Sequence, residues 1–228
     1  MSSITANLQA VRQRIEAAAR AAGRPAGSVQ LVAVSKTFAA GAVREAARSG
    51  QRDFGENYVT EGVEKITELG ELGLTWHYIG PIQSNKTRLI AGHFDWVHSI
   101  DREKIAARLS QARAPGRAEL QVCIQVNVSG EASKSGVAPA ETAALARKVA
   151  ELPRLKLRGL MAIPEPTSDA QAQRGRFAQL RSLRDELNRQ GLELDTLSMG
   201  MSADMEAAIA EGATMVRVGT AIFGERKS

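Results

Sequence analysis

WVHSIDREKIAARLSQARAPGRAELQVCIQVNV, residues 96–128, contains one complete repeat of the pattern that decides the fold. WVHSI (96–100) is a short apolar run rich in β-branched and aromatic residues, as in a strand buried on both faces. DREKIAARLSQAR (101–113) then places Ile105 and Leu109 four apart on one helical face, with Asp101 as the expected N-cap. RAPGRAE (113–119) supplies turn residues, and LQVCIQVNV (120–128) is again a buried strand. A strand, a helix and a second strand of this kind form a parallel βαβ unit.

The same alternation runs through the chain. Further strands are predicted at 31–35, 52–56, 76–80, 156–163, 194–200 and 215–219. Helices are predicted at 39–50, 57–70, 85–92, 138–152, 168–191 and 202–213, and an amphipathic helix at 4–22 precedes the first strand. Eight strands about 20 to 35 residues apart predict a single α/β domain over residues 1–228: a (β/α)8 TIM-type barrel with an extra N-terminal helix. That helix is expected to cap the bottom of the barrel. A doubly wound open sheet is the rival, but no GxGxxG follows any strand.

Composition narrows the function. The 228 residues carry a net charge of +5, yet basic residues alternate with acidic ones along the helices, and aromatics make up only 4%. A basic run interleaved with aromatics, the footprint of nucleic-acid binding, is lacking. No apolar run approaches the ~20 residues of a membrane span, and the N-terminal helix lacks the apolar core of a secretory signal. The single cysteine, Cys123, forms no disulfide framework and is read as a buried structural thiol. The expectation is a cytoplasmic protein that engages neither membranes nor nucleic acid.

Chemistry in such barrels collects after the strand ends. Ser35-Lys36-Thr37 follow the first strand, and Glu56-Asn57 the second. Gln83, Asn85 and Lys86 follow the third, and Asn127 and Lys134 the fifth. After the seventh and eighth come Gly200 and Ser202, then Gly219 and Thr220, each pair at an expected helix start. Alone, Ser202 is an ordinary N-cap. Together, two glycine–hydroxyl helix starts after strands seven and eight match a barrel phosphate site. Arg217 alternates with Val216 and Val218 and is predicted to face the barrel interior, paired either with Glu56 or Asp53 or with a ligand. Lys36 is then either a counter-charge for phosphate or an amine for Schiff-base chemistry. Pyridoxal 5′-phosphate needs a lysine, a phosphate cup and a polar partner for its ring. A Schiff-base aldolase acting on a sugar phosphate would share the first two.

At these residues the chain resembles the YggS/PROSC family of pyridoxal phosphate homeostasis proteins. The resemblance is carried by AVSKTF (33–38), FGENYV (54–59), WHYIGPIQSNK (76–86), QVNVSGEASKSGV (125–137), GLMAIP (159–164) and LSMGMSADMEAAIAEGATMVRVGTAIFGER (197–226). It implies a barrel like that of bacterial alanine racemase, and pyridoxal 5′-phosphate held as a Schiff base on Lys36. It also implies a phosphate cup of Ser202, Gly219 and Thr220, Arg217 facing the pyridine nitrogen, Asn57 lining the ring pocket, and Met199 in the motif packed against the cofactor. The implied role is vitamin B6 and amino-acid homeostasis by a monomeric, non-catalytic carrier that supplies apo-enzymes. The alternative is a racemase-like enzyme, for which Tyr58 is the candidate second acid/base to test, although packing is its expected role. The sequence has Phe38-Ala39 where the family often has a basic residue and a proline, so no second cation beside Lys36 is implied.

Overall fold

The structure, a computed structural model, describes residues 3–130, 135–167 and 169–225. Eight parallel strands follow one another around a closed barrel: β1 (Gln30–Val34), β2 (Asp53–Glu56), β3 (Thr75–Tyr78), β4 (Trp96–Ile100), β5 (Leu120–Gln125), β6 (Leu155–Met161), β7 (Thr196–Ser198) and β8 (Met215–Val218). Pairing of β8 with β1, from Gln30↔Met215 to Ala33↔Val218, closes the ring and rules out the open sheet.

Every predicted strand is present, but several are shorter at their C-terminal ends. The apolar run 120–128 is a strand only to Gln125, because Val137 turns back to donate its N–H to the Gln125 carbonyl. Apolar character reports burial and does not distinguish a strand from a buried loop. The surrounding helices are α2 (Ala40–Arg48), α3 (Val59–Glu68), α4 (Thr87–His93), α5 (Glu103–Ala112), α6 (Thr142–Ala150), α7 (Ala170–Arg189), α8 (Met205–Ala210) and the single turn α9 (Thr220–Phe223). Asp101 does not cap α5: Arg102 occupies the N-cap position without a side-chain bond, and Asp101 pairs with the Arg102 guanidinium. Asp169 does cap α7, accepting from the N–H groups of Gln171 and Ala172.

Strand alternation divides the core into two layers. On β8, Val216 and Val218 face the helices, in the same apolar layer as Leu31, Ala33 and Phe54. Inside the barrel lies a separate small cluster of Trp96, Cys123, Met161 and Met215. Cys123 is fully buried there and burial pushes its thiol up to about 12, so it is a packing residue.

The leading helix, α1 (Ser3–Ala21), is not a cap on the barrel's bottom. It packs along α2, α8 and α9, in the outer ring at the β8–β1 seam. There it stands beside α9, a turn of only four residues that is too short to cover the seam. Leu8, Val11, Ile15 and Ala19 recur at helical spacing and form its buried stripe. Burial of the three larger side chains contributes about 1.5–3 kcal/mol each. Among the described residues no helix is long and apolar enough to cross a membrane.

Candidate functional site

A cavity of about 290 Å³ opens where the strands end. Six of the predicted site residues line it: Lys36, Asn57, Ser202, Arg217, Gly219 and Thr220. Met199 does not. It follows Ser198, whose hydroxyl points into the barrel, so alternation turns the Met199 side chain outward into the helix-facing core. Lys134 lies outside the described residues.

The backbone around Lys36 is held from both sides. Ser35 donates its hydroxyl to Glu56 Oε1 at 2.6 Å, and its carbonyl accepts from Lys65 Nζ at 2.7 Å. On the other side, the Thr37 N–H donates to Glu61 Oε1 at 2.6 Å, with Thr37 in the left-handed region at φ 69°. Lys65 joins the two anchors by donating to Glu56 Oε1 at 2.7 Å and to Glu61 Oε1 at 2.6 Å. Burial raises the Glu56 carboxyl above its ordinary value, partly offset by Lys65 and the Ser35 hydroxyl. Sequence reasoning did not single out Lys65 or Glu61. Their i,i+4 spacing on α3 was a visible signal, but such a pair is ordinarily a solvated one. The second acidic partner, Glu56 on β2, is what buries it.

Arg217 is 3% exposed and faces the interior, as alternation predicts, but it pairs with neither Glu56 nor Asp53. Glu56 belongs to Lys65, and Asp53 bonds His77. The Arg217 guanidinium instead donates to Ser198 Oγ at 2.6 Å and to the Ala162 carbonyl at 2.9 Å. Desolvation lowers it to about 10, and Asp204 opposes that shift, so it remains a cation at neutral pH.

The loops after β7 and β8 form the facing wall. Gly200 has φ +96°, and a Cβ there would lie 2.6 Å from the Ala208 Cβ, so this turn requires glycine. Ser202 is not an N-cap. Helix α8 starts at Met205, and Asp204 accepts the Met201 N–H at 2.6 Å to close the turn that presents Ser202 to the cavity. A Cβ on Gly219 would come within 3.1 Å of the Val34 carbonyl, so its absence lets this loop approach the end of β1.

Asn57 Oδ1 is buried and has no hydrogen-bond partner among the described residues. The Asn57 backbone is held by Tyr78, whose single hydroxyl proton is shared between the Pro81 carbonyl at 2.9 Å and the Asn57 carbonyl at 3.2 Å. Tyr58 is 53% exposed, not packed, and belongs to a neighbouring groove. Phe38 lines the cavity and stacks near Phe223, with ring centroids 5.2 Å apart. Among the described lining residues, Lys36 and Arg217 are the titratable ones. The cavity therefore offers two cations and two hydroxyls, a set suited to an anionic ligand.

Known proteins show the same architecture. The sequence pattern of the alanine racemase N-terminal domain family matches residues 6–227. The pyridoxal phosphate homeostasis protein of Pseudomonas aeruginosa is 62% identical over 226 residues, covering 99% of this chain and 97% of that protein. The protein of the same name from Escherichia coli K12 is 56% identical over 229 residues, covering 99% and 98%. The structure of PipY from Synechococcus elongatus with pyridoxal phosphate bound superposes with a TM-score of 0.86. It is 41% identical and covers 97% of this chain and all of that one. Alanine racemase from Corynebacterium glutamicum, 17% identical with a TM-score of 0.70, shares the fold; 62% of its length is matched.

Proposed function

The chain belongs to the pyridoxal phosphate homeostasis protein family, and we propose that it holds pyridoxal 5′-phosphate on Lys36 as a non-catalytic reservoir of the cofactor. The observation that carries this reading is the cavity itself, where Lys36 and Arg217 meet the hydroxyls of Ser202 and Thr220 beside Asn57. When bound, the cofactor supplies an aldehyde carbon that an amine can capture and a phosphate that needs anchoring.

The residues fit those needs. Lys36 lines the cavity from a backbone bolted at Ser35 and Thr37, so the root of its side chain is set before any ligand arrives. Ser202, Gly219 and Thr220 form the wall that would receive the phosphate, with hydroxyl donors from two loops. Arg217 would face the ring nitrogen, and as a donor-only cation it gives a hydrogen bond there without giving up its proton. Asn57 would line the ring pocket. Met199 would act from behind, by packing beneath the loop that carries Ser202.

A racemising enzyme needs a proton donor on each face of its substrate. The described lining residues offer a lysine and an arginine but no tyrosine, histidine, thiol or carboxylate, which supports binding over turnover. We assign the protein to the cytoplasm as a one-domain monomer that delivers the cofactor to apo-enzymes. The test is the absorption spectrum of the protein with pyridoxal 5′-phosphate before and after borohydride, followed by peptide mapping. The expected result is a visible band abolished by borohydride, with the pyridoxyl mass on the Lys36 peptide and neither signal in Lys36→Ala. Label scattered over surface lysines would overturn the assignment of Lys36. Sustained turnover of an amino acid would replace the reservoir with a racemase-like enzyme.

A further inference from the structure

Behind Arg217 a file of polar side chains crosses the barrel interior, and nothing in the cofactor reading uses it. Arg217 on β8 meets Ser198 Oγ on β7 at 2.6 Å. Ser198 Oγ lies 2.7 Å from His98 Nδ1 on β4, and His98 Nε2 lies 2.9 Å from His77 Nδ1 on β3. His77 Nε2 reaches Asp53 Oδ1 at 3.0 Å, on the first residue of β2. Ser198, His98 and His77 are buried, and the Asp53 side chain, at the opposite end of the barrel from the cavity, is 18% exposed.

The chemistry of the two ends sets the direction of every bond between them. A guanidinium only donates, so Ser198 Oγ accepts from Arg217 and its single proton has one place to go, His98 Nδ1. His98 then carries its proton on Nε2 and gives it to His77 Nδ1. His77 in turn carries its proton on Nε2 and gives it to the acceptor-only carboxylate of Asp53. In the reverse order the serine proton would have no acceptor, and a buried donor would be stranded. The rings are held in place from outside the file: His77 stacks on Trp96 at 5.5 Å and 17°, and Arg158 covers the Trp96 ring at 5.1 Å.

We infer that Ser198, His98, His77 and Asp53 are positioning residues for Arg217, a one-way hydrogen-bond file that fixes the guanidinium plane at the cavity floor. The bond to the Ala162 carbonyl holds one nitrogen; the Ser198 bond, available only while the hydroxyl proton points away, holds a second. The bearing of this file on the cofactor rests on the reading proposed above; its geometry does not.

Nitrogen NMR on the cofactor-free protein tests the geometry. His77 and His98 are expected as Nε2–H tautomers at neutral pH. His93, whose Nδ1 lies 2.9 Å from the Leu89 carbonyl, is an internal contrast with the opposite tautomer. Arg217 is expected to show separate, slowly exchanging Nη signals. Ser198→Ala should merge them and release His98 from its tautomer. Asp53→Ala, a milder change remote from the cavity, should release His77. Cys123→Ala, equally buried in the same interior, should change neither. With pyridoxal 5′-phosphate added, Ser198→Ala should bind about tenfold more weakly and shift the visible band, whereas Cys123→Ala should match the parent protein. An Nδ1–H or doubly protonated His77 or His98, separate Arg217 signals persisting in Ser198→Ala, or undiminished cofactor affinity in that variant would each overturn the inference. If the parent protein fails to bind the cofactor, the proposed function falls alone, and the cofactor-free spectra still decide the file.

Discussion

Lys36 and Arg217 stand at the ends of neighbouring strands and face one cavity, yet opposite devices hold them. Beneath Lys36, bonds converge: one ammonium, that of Lys65, gathers two carboxylates and a carbonyl, and so clamps the backbone on both sides of the residue. Behind Arg217, bonds run in single file, with Ser198, His98 and His77 each bonded to one neighbour before it and one after. The converging cluster lies between β2 and α3, outside the strand wall; the file lies within it. The first concentrates charge and so carries stability. The second passes orientation along without a central ion and so carries precision.

Breaking the hub is the largest expected effect. Lys65→Met leaves buried Glu56 and its partner Glu61 without their cation and should cost about 3–5 kcal/mol in chemical unfolding. A loss below about 1 kcal/mol would mean that the cluster behaves like a surface pair.

Acid should separate the two regions next. Burial, together with His77 and Arg217, holds the His98 imidazole well below its ordinary 6.5. The unfolded chain takes up a proton at His98 below about pH 6.5 while the folded protein does not. Stability therefore falls as pH drops through that window, by about 1.4 kcal/mol per pH unit. Glu56 works in the opposite sense. Its raised value means the folded protein holds that proton more tightly, so its contribution grows as pH falls from the raised value toward 4.5. Unfolding titrations of His98→Asn should lose the first trend, and those of Glu56→Gln the second. Unchanged profiles would remove both assignments.

The smallest effect is the sharpest comparison. Among the described residues the two networks share no hydrogen-bond partner, so the stability losses of Lys65→Met and Ser198→Ala should add to within about 0.5 kcal/mol in a double-mutant cycle. A larger coupling would make them one network.

Much of this was legible in the residues. The strand count, the closure of the barrel and the inward turn of Arg217 follow from periodicity, which records burial directly. Lys36, Asn57, Ser202, Gly219 and Thr220 share the cavity because strand ends share a rim. The partners of Arg217 were not legible. Pairing it with Glu56 or Asp53 follows from charge alone, but pairing inside a barrel depends on which strands face one another across it. Ser198 lies nineteen residues before Arg217, and His98 a hundred before Ser198. Met199 lies outside the cavity lining for a related reason: a motif marks a neighbourhood, while side-chain direction reverses at each residue of a strand. Lys65 was hidden by spacing typical of a solvated helix face.

The place of α1 in the ring has a consequence for how the protein comes into being. Asn7 donates to the carbonyl of Ile222, 215 residues later. During synthesis at about 5–20 residues per second, α1 leaves the ribosome roughly 10–40 s before the strand and turn it packs against. Throughout that interval the stripe of Leu8, Val11, Ile15 and Ala19 lacks α8 and α9, two of the three helices it packs along. Among the described helices α1 thus completes its packing late, and the nascent chain carries an adhesive surface until the barrel closes.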